Sequence, residues 1–130
     1  MKNNKGFSLI ELLVVISIIG ILTTVLVMNF VGSRQRARDA QTIQNLNSIK
    51  NALRMYYNEY QFYPDNINVL VPTYIPGLGG ITNEGYALLS SGDGFRFQKT
   101  LEVGAGDEDI NSQQNCGVDL GERIYVVCAN

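Results

Sequence analysis

The stretch that decides the fold lies near the amino terminus and reads FSLIELLVVISIIGILTTVLVMNFV, residues 7 to 31. As a helix it would be about 37 Å long at ~1.5 Å per residue, which exceeds the ~30 Å hydrocarbon core of a bilayer. Glu11 is the only ionisable residue within it. A charged side chain inside a membrane span costs roughly 3 kcal/mol. The stretch therefore predicts a membrane-spanning helix, and Glu11 predicts a partner for its carboxylate.

A short basic leader, residues 1 to 6, precedes the apolar stretch. The junction GFSLIE, residues 6 to 11, resembles the processing site of the type IV pilin family, which includes the pseudopilins of type II secretion systems. The resemblance implies that a membrane prepilin peptidase cuts after Gly6 and that the new amino-terminal residue, Phe7, is methylated. It also implies that Glu11 is the carboxylate that docks a subunit into a growing filament.

Charge alone does not predict the membrane orientation of the chain. Two lysines in the leader are opposed by three arginines just beyond the apolar stretch, so the positive-inside rule gives no answer. The resemblance implies a single-pass inner-membrane protein with a cytoplasmic leader and with residues 32 to 130 outside. After assembly, the filament would be periplasmic or extracellular. As an alternative, the small residues of Val31-Gly32-Ser33 resemble a signal-peptidase site, which would make the apolar stretch a removable signal.

The helix is predicted to continue beyond the membrane to about residue 60. No proline occurs before Pro64, and apolar residues recur at three- and four-residue spacing, which is typical of an amphipathic helix. A coiled coil is the alternative, but the stripe is shorter than four heptads and lacks flanking charged pairs. The sequence therefore favours a helix covered by its own domain. The residues of the stripe are Ala37, Ala40, Ile43, Leu46, Ile49, Leu53, Tyr56 and Tyr60.

The remaining residues predict a small antiparallel sheet. The stretches Tyr86–Ser90 and Phe95–Leu101 flank a Ser-Gly-Asp-Gly turn, which is a hairpin signal, and residues 124 to 128 predict a third strand. A short helical turn is expected near Asn66–Leu70. The predicted fold class is α+β, with a long amino-terminal transmembrane-plus-amphipathic helix packed against a small antiparallel β-sheet head.

Three parts of the chain follow from these predictions: a leader at residues 1–6, a transmembrane or filament-core helix at 7–31, and an amphipathic half-helix with a globular head at 32–130. The resemblance adds that the long helix is the spine of a pilin. The tyrosine-rich turn before Pro64 is similar to the helix end of major pseudopilins and short pilins.

Composition excludes several classes of function. The chain has no histidine and a net charge of −2, and residues 34 to 130 carry eight basic and eleven acidic side chains. Without histidine, no Ser-His or Cys-His catalytic pair can form. The mild acidity gives no electrostatic footprint for nucleic acid. An enzyme is therefore not expected, and neither is a nucleic-acid partner.

Cys116 and Cys128 are the only cysteines of the chain. A location outside the cytoplasm favours a disulfide between them, with a contribution of ~3 kcal/mol to stability by the chain-entropy model. Two unpaired thiols are the alternative.

One acidic run resembles the start of a calcium loop because Asp107, Asp109 and Asn111 alternate within it. Ser112 and Val118 stand where such a loop needs its turn glycine and its closing glutamate. We therefore expect a solvated acidic loop and no cofactor, with calcium as the alternative. Major pseudopilins bind calcium in a carboxy-terminal loop, which keeps that alternative open.

Two clusters have a functional and a structural interpretation. The tyrosines at 56, 57, 60 and 63 could form a binding surface, but aromatic residues at helical spacing favour a core position. The arginines at 34, 36 and 38 could contact DNA, but their place beyond a membrane helix favours lipid headgroups or neighbouring subunits.

The predicted function is that of a structural subunit of a type IV pilus-like filament, either a pseudopilin-like subunit of a type II secretion system or a short type IV pilin. The resemblance implies several partners: further copies of the chain, minor pilins or pseudopilins, the prepilin peptidase, an inner-membrane assembly platform and, before assembly, membrane lipid. The alternative is a single-span membrane-anchored binding domain that does not polymerise.

Overall fold

The computed structural model describes residues 6–89 and 92–129, except for the side chains of Met28 and Asn29. Residues 1–5 of the predicted leader, and Ser90 and Ser91 of the predicted hairpin, lie outside the described residues. Contacts divide the chain after Arg34 into two compact units.

One helix, α1, extends from Leu9 to Tyr60. It confirms the long amino-terminal helix that the sequence predicts. The helix ends where Gln61 adopts a left-handed conformation with φ of 64°. Gln61 N–H donates to the Tyr57 carbonyl oxygen at 2.7 Å, which satisfies one of the carbonyl groups that a helix end leaves open.

The unit that follows Arg34 contains a three-stranded antiparallel sheet. Its strands are β1 (Tyr86–Leu89), β2 (Gly94–Thr100) and β3 (Ile124–Ala129), in the order β1-β2-β3. Phe97 of β2 pairs with Tyr86 on one side and with Val127 on the other. The α+β fold class is thereby confirmed. A 3₁₀ turn, Ile67–Leu70, occupies the position predicted for a short helical turn.

The hydrophobic core lies between the second half of α1 and one face of the sheet. Leu46, Ile49 and Leu53 of the helix are fully buried, as are Phe95 and Phe97 of β2. Each such side chain stabilises the folded state by about 1.5–3 kcal/mol relative to an exposed one. The core also includes Ala52, Tyr63, Ile67, Leu70, Ile75, Ile81 and Val127.

The predicted helical stripe is buried only in its middle. Ala37, Ala40 and Tyr60 are exposed, and Ile43 is half-buried. The prediction that the domain covers the whole stripe is therefore wrong at both ends, because the buried side chains on this face of α1 begin at Leu46 and end at Leu53.

A second helix, α2, spans Asp107–Asn115 and replaces the acidic loop that the sequence predicts there. Asp107, Glu108 and Asp109 occupy its first turn, where carboxylates interact favourably with the positive end of the helix dipole. The prediction of a loop is wrong because three successive carboxylates favour the first turn of a helix. Ser112 and Gln113 of α2 are buried, and α2 packs against β3.

Candidate functional site

The first turn of α1 holds the Glu11 carboxylate through a capping interaction. Ser8 precedes the helix, and its backbone N–H donates to Glu11 Oε2 at 3.0 Å. The Ser8 carbonyl oxygen accepts the Leu12 N–H at 3.3 Å, which begins the helical ladder. A Ser with a Glu three residues later is the pattern of a capping box, in which the glutamate satisfies the backbone N–H of the capping residue. The spacing of Ser8 and Glu11 would have predicted this contact from sequence.

Glu11 is exposed, and within the described residues its carboxylate has only the Ser8 contact. Near a helix amino terminus a carboxylate is favoured by the helix dipole. Among the residues that the structure describes, Glu11 thus has one neutral hydrogen-bond donor and no counter-charge. This arrangement leaves the negative charge available to a cation from elsewhere.

Gly6 and Phe7 precede α1 and are both exposed, Phe7 to 80%. Apart from Gly6 itself and its two chain neighbours, no described atom lies within 4 Å of the position that a Cβ on Gly6 would occupy. Phe7 and Glu11 line a shallow depression of about 410 Å³ together with Ile10, Val14 and Val15. The peptide bond between Gly6 and Phe7 therefore lies in an open segment just before the helix.

The apolar half of α1 is exposed within its own chain at residues 9 to 27, 30 and 31. By length and composition, α1 is the one helix in the described part of the chain that could cross a membrane. Its few hydroxyl groups are satisfied by the helix itself. Ser17, Thr23 and Thr24 donate to carbonyl oxygens three or four residues earlier, each at 2.7 Å. A helix whose polar groups are satisfied internally meets the requirement of a lipid environment.

In the second unit, a buried carboxylate on α1 binds the segment that follows β2. Asp39 accepts hydrogen bonds from the backbone N–H groups of Glu102, Val103 and Gly104, at 2.7, 2.8 and 3.2 Å. Burial raises the pKa of the Asp39 carboxyl, but these three donors and the nearby Arg38 outweigh burial, so the pKa is lowered overall. Asp39 therefore remains ionised and fixes this segment to the helix.

The arginines at positions 34, 36 and 38 differ in what they contact. The Arg38 guanidinium forms a two-pronged ion pair with Glu102, at 2.7 and 2.8 Å, which raises its pKa and lowers the pKa of Glu102. The guanidinium carbon of Arg34 lies 5.0 Å from the centroid of the Phe30 ring. Arg36 is exposed, and no ion pair to it is found in the part of the chain described.

The tyrosine cluster divides into a buried and an exposed part. Tyr57 stacks on Tyr63 with a centroid distance of 4.6 Å, and Tyr63 is buried against Phe95, as expected for core residues. Tyr60, in contrast, is 49% exposed. The structural interpretation of the cluster therefore holds for Tyr63 and is wrong for Tyr60, which lies on the surface because the helix ends there.

The structure joins Cys116, at the end of α2, to Cys128 in β3 by a disulfide. Next to it, Gln113 fixes the loop between α2 and β3. Its amide nitrogen donates to the carbonyl oxygens of Gly121 and Ile124, both at 2.8 Å, and its oxygen accepts the Leu120 N–H at 2.6 Å. Sequence reasoning missed Gln113, because its partners are backbone groups that no motif reveals.

The residues of the calcium-like run do not form a loop. Asp107, Asp109 and Asn111 lie on α2, where residues two positions apart point to different sides of the helix. Asp109 Oδ2 accepts the Ala105 N–H at 2.8 Å. In residues 6–89 and 92–129, no group of three or more His, Cys, Asp or Glu side chains is placed to hold a metal ion.

Comparison with known proteins adds to this geometry at the amino terminus. Residues 1–27 match the family model described as the prokaryotic N-terminal methylation motif. This range contains Gly6, Phe7 and Glu11, the residues that the sequence predicts for processing and assembly. No solved structure matches the chain.

Several curated proteins are similar to part of the chain. The type IV wide pilus major component PilA4 of Thermus thermophilus is 42% identical over 71 residues, which are 55% of this chain and 54% of that protein. The type II secretion system core protein G of Escherichia coli is 34% identical over 87 residues, 63% and 60% of the two chains. The type IV major pilin protein PilA of Myxococcus xanthus is 35% identical over 65 residues, 50% of this chain and 30% of that protein. The chain thus spans less than two thirds of these relatives.

Proposed function

We propose that this chain, as a member of the type IV pilin and pseudopilin family, is a structural, non-catalytic subunit of a pilus-like filament. The observation that carries the proposal is the exposed Glu11 carboxylate in the first turn of an exposed apolar helix. Such a helix needs apolar neighbours, either lipid or other helices, and such a carboxylate needs a cation in any apolar surrounding.

Cleavage after Gly6 would supply that cation. It frees an amine at Phe7, four residues from Glu11. Glu11 of one subunit then meets the Phe7 amine of a neighbour, so that neither charge remains alone in an apolar bundle. The Ser8 contact holds the carboxylate at the helix start until that amine arrives.

The proposed location and partners follow from the same mechanism. The subunit first spans the inner membrane once, with the leader in the cytoplasm and residues 32 to 130 outside. A prepilin peptidase removes the leader, and an assembly platform in the same membrane adds the subunit to the filament. Further copies of the chain and minor subunits complete the polymer, which is periplasmic or extracellular.

Two substitutions of Glu11 test the mechanism. Glu11→Gln removes the charge but keeps an oxygen that can accept the Ser8 N–H, since glutamine also closes capping boxes. Glu11→Ala removes both. If charge neutralisation drives assembly, both variants insert into the membrane, and both lower the amount of sedimentable filament by at least about tenfold, because an unpaired buried charge costs several kcal/mol. Filament yield is measured by shearing, sedimentation and immunoblotting beside the wild type.

The two variants separate charge from capping. A Glu11→Gln chain that assembles like the wild type would show that the hydrogen bond, and not the charge, is what Glu11 supplies. Ser17→Ala is a suitable control on the same helix, because it removes only a hydroxyl that bonds its own backbone. It is expected to assemble normally.

Pilus and secretion uses remain distinct alternatives within the proposal, since the relatives include components of both. The short head and the Tyr-Pro segment favour a pseudopilin-like subunit. Loss of secreted enzymes after deletion of the gene would support this use, whereas long surface filaments under the electron microscope would support a pilus.

A further inference from the structure

A groove of about 870 Å³ lies beside α1 in the unit that follows Arg34. Ala40 and Ile43 form part of its helical wall, and Val103 belongs to the opposite wall. Ala40 and Ile43 belong to the part of the predicted stripe that the sheet does not cover, and Val103 is exposed. The groove is therefore an apolar surface without a partner in the described part of its own chain.

The wall opposite the helix is fixed by hydrogen bonds. Asp39 holds three consecutive backbone N–H groups, those of residues 102 to 104, and Asp109 holds that of Ala105. Such a groove does not have to be ordered by its ligand, and preorganisation of this kind increases affinity by lowering the entropy cost of binding. The groove is therefore suited to bind a protruding group.

A protruding group of this kind exists at the other end of the same helix segment. The aromatic knob, as we call it, consists of Tyr56, Tyr60, Phe62 and Tyr74. Tyr60 stacks on Tyr56 with a centroid distance of 4.4 Å, and Phe62 meets Tyr56 edge-on at 5.9 Å. Tyr60 and Phe62 are each 49% exposed although their neighbours hold them in place. Rigid exposed aromatic rings are typical of the residues that dominate protein interfaces.

The knob cannot enter the groove of its own chain. Ala40 and Tyr60 are twenty residues apart on one helix, about 30 Å at ~1.5 Å per residue. Arg36 beside the groove and Glu59 beside the knob carry opposite charges, so the knob of one molecule is complementary at this point to the groove of another. Arg36 at the groove is exposed, with no ion pair among the described residues, and Glu59 adjoins the knob, where it accepts the Tyr74 hydroxyl.

We propose that the groove of one copy binds the aromatic knob of a second copy, with Arg36 facing the partner's Glu59. Because the knob and the groove are different surfaces, each pair leaves one of each unoccupied, and such contacts continue into open chains instead of closing as a two-fold dimer. This inference rests on the proposed function and adds a contact between heads to the packing of the helices.

Charge exchange in the full-length chain tests the contact. Arg36→Glu and Glu59→Arg are each expected to lower the sedimentable filament by about tenfold, because like charges placed across an interface are strongly unfavourable. The double variant exchanges the two charges and is expected to recover the wild-type yield to within about twofold. Glu122→Arg is the matched control, since it reverses an exposed acidic charge that belongs to neither the knob nor the groove. It is expected to assemble normally.

Cross-linking gives a second measurement that does not depend on yield. Cells that co-express two single variants, Ala40→Cys and Phe62→Cys, are treated with a short thiol-specific cross-linker. The native cysteines are joined to each other and do not react. We expect a cross-linked dimer only in the mixture, and none when Ala40→Cys is combined with Glu84→Cys, whose position is 85% exposed but distant from the knob in sequence.

The outcomes separate the two proposals. A wild-type chain that never forms polymer would overturn the proposed function, and this inference with it. Normal polymer from both single charge variants, without the mixed cross-link, would overturn this inference alone. The same holds if Ala40→Cys cross-links only to a protein other than this chain.

Discussion

At the scale of single residues, Asp39 connects α1 to the segment that follows β2. Its carboxylate accepts three backbone N–H groups that are 63 to 65 positions away in sequence. No sequence pattern identifies such a contact, because backbone donors are the same at every residue. The aspartate was visible in sequence only as a charge close to three arginines.

Asp39→Asn is expected to lower the free energy of unfolding by about 2 kcal/mol, since hydrogen bonds to a charged acceptor are worth ~1.5–3 kcal/mol. Urea denaturation of the full-length chain in detergent measures the change. Asp65→Asn is the control, because Asp65 is exposed, and surface substitutions usually stay within about 0.5 kcal/mol. Equal effects of the two substitutions would show that the Asp39 contacts do not stabilise the fold.

The same carboxylate predicts a pH dependence. The pKa of Asp39 is lower in the folded chain than its ordinary value, so the folded state binds its proton less tightly than the unfolded state does. The stability that Asp39 supplies is therefore complete above about pH 4, the usual range of an aspartate. It is lost as the pH falls through the folded pKa. The difference between wild type and Asp39→Asn should accordingly be constant near neutral pH and shrink in acid.

At the scale of elements, local sequence patterns predict the helix and the strands. Features that depend on contacts between distant parts of the chain are not predicted. The hairpin of β1 and β2 followed from alternation around a turn, and α1 followed from three- and four-residue spacing. Helix α2 is not predicted because its acidic first turn has the same residue types and alternation as the start of a calcium loop. The capping pair Ser8 and Glu11 could have been predicted, whereas the exposure of Ala40 and Tyr60 depends on how far the sheet extends.

The disulfide ties α2 to the last strand and gives a prediction at this scale. Cys116 and Cys128 are 12 positions apart. Closing a loop of this size in the unfolded chain is worth ~3 kcal/mol in the entropy model. For a domain of about 100 residues, that loss corresponds to a fall in Tm on the order of 10 °C or more. Thermal melting of the double variant Cys116→Ala/Cys128→Ala measures it.

Reduction provides the control for that measurement. A reducing agent should lower the Tm of the wild type by a similar amount and leave the double variant unchanged. A wild-type Tm that does not respond to reduction would mean that the two cysteines are not joined in the purified protein.

At the scale of the whole molecule, the chain divides its apolar residues between two environments. Those of the sheet unit form a core, whereas those of residues 9 to 27 are exposed throughout. An exposed apolar surface of this extent is not stable in water, because single soluble proteins seldom expose patches of more than a few hundred Å². The environment of this helix is therefore lipid or other helices, and in the proposed function removal of the leader determines when lipid can be exchanged for other helices.

The mass of the mature chain tests that exchange directly. Cleavage after Gly6 removes six residues, so the protein should be about 0.7 kDa lighter than the 14.4 kDa precursor, apart from ~14 Da for a methyl group on Phe7. Intact mass spectrometry of membrane-extracted protein, with sequencing of the amino-terminal peptide, measures both changes. Gly6→Ile is the matched control, because a branched side chain at the cleavage position should leave the precursor uncut and unassembled. A wild-type chain that retains residues 1 to 6 in cells with active prepilin peptidase would exclude assembly through a Phe7 amine, and a start at Arg34 would mean that the apolar stretch is a removable signal.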